Sequence, residues 1–234
     1  FQNEFGMGWN GDHTELENGS WGPRFDGSMQ LWGNKYENSQ KLKPYSPIKN
    51  NIKDFFDAGF RYNNSVSFNG ATDKSEYYVS FSQISDDGMV PTDADSYDKY
   101  TFSARGSHKV KALTFSSSLN YSYQKNKFAT TGQGLTMLNS LYQTPRDVSI
   151  ISLQDQNDIF NSPGYFYTPY GVMNPYYILE NYLNEYDAER FYGKFQVDYD
   201  FLKYFKFTYR MGLDTTTGQS NRGEPNLYAL FYEG

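Results

Sequence analysis

The chain has 234 residues, a formal net charge of −6, no cysteine, and 19% aromatic residues, made up of 23 Tyr, 19 Phe and 3 Trp. Acidity without a basic block argues against nucleic acid as a partner, and the missing cysteines exclude disulfides and thiolate chemistry. Mean hydropathy is −0.77 and branched aliphatics are scarce; this does not suit an ordinary soluble core but suits a carbohydrate-facing β protein or a membrane barrel with aromatic girdles.

No run of about 18 apolar residues exists, so no membrane-spanning helix is expected. A spanning strand needs only about 9–11 residues, with every second one apolar. The chain opens at Phe1 without an initiator Met or signal peptide. It is expected to be an internal piece whose export signal lies upstream.

In chain order, residues 1–58 read as the end of a strand (1–7) followed by a Gly-, Asn- and Asp-rich loop. Four strands are expected over 59–124. In the first, Phe60, Tyr62, Asn64, Val66 and Phe68 alternate with Arg61, Asn63, Ser65, Ser67 and Asn69. In the second, Tyr77, Val79 and Phe81 alternate with Tyr78, Ser80 and Ser82. The third alternates Tyr100, Phe102 and Ala104 with Thr101, Ser103 and Arg105. The fourth is the cleanest: Leu113, Phe115, Leu119, Tyr121 and Tyr123 share one phase with Ser117, while the other phase, from Thr114 to Ser122, holds no apolar residue. A strand sends the two phases to opposite faces, one suited to lipid or a core and one to water.

A long loop is expected over 125–187. Leu135, Met137, Leu138 and Leu141 have the spacing of a short helix, and the later part is rich in Tyr, Phe and Pro. Two further strands are expected over 188–214. Phe191, Phe195, Val197 and Tyr199 carry the apolar phase of one, and Phe205, Phe207, Tyr209, Met211 and Leu213 that of the other. Residues 215–234 read as the start of another outer loop.

Connections alternate in length. Those at 70–75, 108–111 and 200–203 are short; those at 86–98 and 125–187 are long. In an up-and-down sheet this puts all short turns at one end and all long loops at the other, as in outer-membrane barrels. The fold expected is therefore all-β: an antiparallel up-and-down transmembrane β-barrel segment of about six strands with long extracellular loops.

Four segments carry a family resemblance. Ser20-Trp21-Gly22-Pro23-Arg24-Phe25-Asp26-Gly27 resembles the SWGPRLDG loop of SusC/RagA-type TonB-dependent transporters of Bacteroidetes, with Phe25 in place of the commoner Leu. Residues 51–59, with Lys53-Asp54-Phe55-Phe56 and Gly59, are similar to that family's N…DFF..G segment. Asn63-Asn64-Ser65-Val66-Ser67 with Gly70, and then Asp87-Gly88-Met89-Val90-Pro91, follow in the family's order. The resemblance covers residues 1–123 by motif and the rest by pattern. It implies one part of a larger, roughly 22-stranded barrel with a plugged lumen, the plug being absent from this chain. It also implies a place in the outer membrane against lipid and lipopolysaccharide, and partners in a SusD-like surface lipoprotein, the TonB system and the remainder of the barrel chain. The substrates implied are oligosaccharides or peptides. The rival reading is a secreted or surface carbohydrate-binding β-sandwich.

No enzyme signature, and no cofactor, is expected. Ser122-Tyr123-Gln124-Lys125 matches S-x-x-K literally but ends a strand, whereas that motif belongs at a helix start. Gly132-Gln133-Gly134 lacks the third glycine of a dinucleotide loop. His13 and His108 fall at opposite ends of the expected sheet. Asp93, Asp95 and Asp98 resemble part of a calcium loop, but Asp98 stands where an EF-hand needs Gly; a solvated acidic loop is the plainer reading. Tyr165, Tyr167 and Tyr170 are candidates for an extracellular substrate vestibule, because such rings stack on sugars while their edges reach water. Their competing role is to pack the loop or a partner lid. Trp21 and Arg24, with Asp26, are candidates for a ligand or lid contact. The competing role has Trp21 anchoring the loop and Arg24 paired with a carboxylate. Arg61, Arg105, Lys194 and Arg210 share the polar phase and set a field in the pore or pair with wall or plug carboxylates.

Overall fold

The computed structural model describes residues 2–202 and 204–226. Eight strands run β1 (Met29–Tyr36), β2 (Ser39–Pro44), β3 (Arg61–Ala71), β4 (Ser75–Asp86), β5 (Ser96–Val110), β6 (Leu113–Lys127), β7 (Leu183–Phe201) and β8 (Phe205–Gly223). Two short helices, α1 (Met137–Tyr142) and α2 (Pro175–Asn181), lie between β6 and β7.

Strands β3 to β8 form one six-stranded antiparallel sheet in sequential order, and β1 and β2 form a separate hairpin. Register places the two phases of each strand on opposite faces across the whole sheet. One row runs Val79, Ala104, Leu119, Gly193, Leu213; the next runs Phe81, Phe102, Tyr121, Phe191, Thr215. This apolar face carries Phe, Tyr, Leu or Val from every strand of the sheet, although Tyr78, Tyr97, Tyr186 and Tyr192 lie on the other face. The opposite face carries Asn63, Ser65 and Ser67, then Ser80 and Ser82, Thr101 and Ser103, Ser116 and Ser118, Gln196, and Thr208.

Nothing among the described residues covers the apolar face: Phe68 is 66% exposed and Leu213 60%. The sandwich alternative needs two sheets face to face, and among the described residues the second sheet is the small hairpin. The sheet is also open, with β3 and β8 at its edges.

Short turns join β3 to β4, β5 to β6 and β7 to β8 at one end of the sheet; the segments 87–95 and 128–182 join strands at the other, where 2–60 also enters. At this loop end the apolar face gives way to charge. Asp98 lies opposite Lys125, which lies opposite Asp187, and Lys127 lies opposite Glu185. Opposite charges at facing positions stabilise the ladder and mark where the apolar band stops.

The buried core of the described residues lies in the loops, not the sheet. Met7, Trp32, Phe55, Leu141, Val148, Ile150, Leu153, Phe166, Tyr176 and Ile178 form it, joined by Val90 from the 87–95 segment. Three expectations are corrected here. Residues 2–7 add no strand to the sheet and make only an isolated bridge, Phe5 to Arg24. The stretch read as plain loop contains the hairpin, with Leu31 facing Leu42. Residues 215–223, read as loop, continue β8, because β7 runs back to Leu183 and offers them a backbone partner throughout. The remainder of the expected outer loop, 227–234, and Lys203 of the expected turn lie outside the described residues.

Candidate functional site

The loops at one end of the sheet fold together into a single body, and this body holds the candidate site. Its irregular backbone is satisfied by buried asparagines, as buried polar groups require. Asn51 accepts from Ile150 N–H at 3.0 Å and donates to Val148 O at 2.7 Å. Asn174 donates to Leu153 O (2.8 Å) and Asn161 O (2.9 Å), and its Oδ1 accepts from Tyr176 N–H, capping α2 with Pro175 in the first turn. Asn161 donates to Ser152 O and Asp155 O and accepts from Lys41 Nζ at 2.9 Å. Helix α1 falls where the Leu and Met spacing predicts it, with Thr136 Oγ1 accepting from Asn139 N–H.

Strand alternation in the hairpin sends Trp32 and Lys43 inward and Leu31 and Leu42 outward. The register shift between Trp32 and Lys35 is a bulge around Gly33, whose φ of +76° suits glycine and whose Cα lies close to Tyr167. Lys43 Nζ meets Asp147 Oδ2 at 2.7 Å and lies 4.8 Å from the Trp32 ring centroid. The Asp147 carboxylate is fully buried; its Oδ1 accepts from Met7 N–H at 3.0 Å, while Oδ2 has no hydrogen-bond donor besides this ion pair among the described residues. Burial pushes the Lys43 ammonium below the ordinary lysine value, and the Asp147 charge pulls against it. Burial, reinforced by the same charge, raises the Tyr45 hydroxyl to about 12. Tyr45 donates to Pro23 O at 3.0 Å, tying the 20–27 segment to β2.

The vestibule tyrosines separate. Tyr167 is 3% exposed and packs on Trp32 at 5.5 Å, so it presents no ring to a ligand, and its expected substrate role is corrected. Its hydroxyl is pushed well above the ordinary tyrosine value by burial. Tyr165 stands edge-on to Tyr36 with centroids 5.1 Å apart, and Tyr170 is exposed. Trp21 is exposed beside Phe5, at 6.1 Å, with its backbone stitched to Gly8 and Gly11. Arg24 reaches Glu4 at 3.0 Å and lies over the Phe5 ring, the carboxylate pairing that is one of its two expected roles. Asp26 Oδ1 accepts from Ser28 N–H and Oγ–H, which holds its carboxyl below the usual range.

The acidic loop does not assemble a chelate. Asp98 belongs to β5 opposite Lys125, and Asp95 accepts from Met89 N–H at 3.4 Å. Asp93, Asp95 and Asp98 share a 430 Å³ cavity with Asp57, Asp87, Lys125 and Lys127. Among the described residues no three His, Cys, Asp or Glu converge for a metal ion. Gly88, at φ +71°, sits so close to Asp95 that a side chain there would collide. His13 faces Leu31 O in the loop body and His108 faces Ser75 Oγ at the turn end, well apart in the fold. Ser122 and Lys125 point to opposite faces of β6, which separates the S-x-x-K pair.

On the polar face the cations find partners within the sheet. Arg61 lies 3.9 Å from Asp86, Arg105 stacks 4.5 Å over the Tyr78 ring, and Arg210 donates to Gln196. Arg190 makes a bidentate pair with Asp214. Lys194 lines a 590 Å³ hollow with Tyr78, Arg105 and Ser118.

A feature not anticipated from sequence is a 540 Å³ cavity on the loop body, walled by Asn3, Lys49, Asn50, Lys53, Phe56 and Arg146. Its residues come from three separated stretches, so no local spacing announces it. Compared with known proteins, the chain matches no family model and no curated sequence.

Proposed function

We propose that this chain forms barrel wall and outward-facing loops of a SusC/RagA-like TonB-dependent transporter in the bacterial outer membrane, importing oligosaccharides or peptides. The observation that carries this reading is the bare apolar face of a single antiparallel sheet whose other face is polar. On β7 the apolar phase runs from Phe191 to Phe201; at about 3.3 Å per residue this is roughly 33 Å along the strand. A barrel-like tilt of about 40° would reduce it to about 25 Å, the height of a membrane apolar band. A charged row closes the band at the loop end, and all long segments gather beyond it. In water such a face would be an aggregation site; in lipid it is the contact surface.

The open edges support the same reading, since a sheet in lipid must close. In this proposal the remainder of the barrel chain pairs with β3 and β8. A SusD-like lipoprotein lids the loop body, and TonB acts through the plug carried elsewhere. The test is detergent extraction of the native protein from outer membranes, with mass spectrometry of what comes with it. Recovery with further barrel segments and a lipoprotein is expected. A soluble, monomeric 234-residue species would overturn the proposal.

A further inference from the structure

The loop body offers one preformed, positively lined cavity in an acidic chain. Three cations, Lys49, Lys53 and Arg146, wall the 540 Å³ space; the other described residues around it are Asn, Pro, Ile and Phe, and none of these carries a carboxylate. Asp54, between Lys53 and Phe55, does not line it. Neither Lys49 nor Lys53 forms an ion pair with a carboxylate among the described residues, and both are exposed.

Part of the wall, though not the two exposed lysines, is held by contacts of its own. Arg146 Nε donates to Gln2 O (3.0 Å) and Asn3 Oδ1 (3.2 Å), and Nη2 donates to Asn3 Oδ1 at 2.7 Å and Ile48 O at 3.5 Å. Beneath, Asn51 and Phe55 are buried and clamp the 51–55 segment to Val148, Ile150 and Tyr176. Phe56, held edge-on against Phe55, contributes an apolar wall. The part of a site held by other contacts loses little freedom on binding.

We infer that this cavity binds an anionic oligosaccharide, one bearing sulfate or carboxylate groups. The lysines attract the anionic groups, the Arg146 charge adds to the positive field around them, the Asn3 and Asn50 amides suit hydroxyls, and the Phe56 ring suits the apolar face of a sugar. The inference rests on the transporter reading for what the ligand is used for, but the site belongs to the loop body and needs no membrane.

The test uses the native protein extracted in detergent and titrated calorimetrically with a sulfated tetrasaccharide, its desulfated counterpart and a polyglutamate peptide. Binding of the sulfated sugar alone is expected, weakening with salt because the lysines are exposed. Lys49→Ala with Lys53→Ala should weaken it about tenfold or more, whereas Lys49→Arg with Lys53→Arg should retain it. Equal binding of the desulfated sugar, full affinity in the double alanine variant, or equal binding of polyglutamate would overturn the inference, the last in favour of an acidic peptide. Failure of binding in a protein that still co-purifies with a barrel sinks this inference alone. Variant-sensitive binding by a soluble monomer sinks the transporter reading alone.

Discussion

Lys43 and Asp147 meet in the middle of the loop body, one from a hairpin and the other from the 128–182 segment. With the Asp147 carboxylate fully buried and Lys43 the partner of its Oδ2 among the described residues, the pair cannot be broken from one side cheaply. Lys43→Ala should destabilise the loop body by about 3–5 kcal/mol, since it strands a buried charge. Lys43→Met combined with Asp147→Leu should recover most of the loss. Protease resistance of the 128–182 segment across a urea series checks both; equal stability of the single variant and the native protein would show that the pair carries no such role. Sequence gave no sign of this contact. Neither residue sits in a spacing that names its partner, and the same holds for Arg146 and Lys53. By contrast, the pairing of Arg24 with a carboxylate is one of the roles the sequence leaves open, and Glu4 supplies that carboxylate.

At the scale of elements, β6 shows how far alternation reaches. Its two phases are nearly pure in chemistry, so face assignment follows from the sequence alone. Leu119→Arg, near the middle of the apolar band, should cost about 2–4 kcal/mol if that band lies in a bilayer, and Thr114→Arg on the polar face much less. Folding yields of the two variants in lipid vesicles would measure this, and equal yields would contradict the faces. Alternation fails as a guide where the residues carry none. Thr215 to Gly223 hold no apolar residue on either face, yet β8 continues because β7 supplies hydrogen-bonding partners for them. The hairpin was hidden for a different reason. Its two-residue turn places Glu37 at φ +51°, a conformation that Gly, Asn or Asp usually signals. The start of α2 was readable in principle, since Asn174-Pro175 is a cap followed by a first-turn proline, but the surrounding aromatics masked it.

Taken whole, the molecule divides into a sheet without a covering layer and a loop body with its own core. The outer edges of β3 and β8 leave backbone donors and acceptors unpaired among the described residues, a state that lipid does not tolerate. If the sheet is completed in a bilayer as proposed, amides on the outer edge of β8 in the native preparation should exchange as slowly as those of β5 and β6. In the isolated chain they should exchange fast. Hydrogen exchange read by mass spectrometry distinguishes the cases; a fast-exchanging edge in the native preparation would mean that the sheet ends there. The sequence by itself determined the sheet: its class, its two faces and the gathering of long connections at one end. A period of two is a local property, and each strand states it independently. Only the tertiary structure decided that the connections are a packed body, that Tyr167 is core and Tyr170 surface, and that three cations converge on one cavity. Those outcomes depend on contacts between residues far apart in the chain, for which an aperiodic sequence carries no local signal.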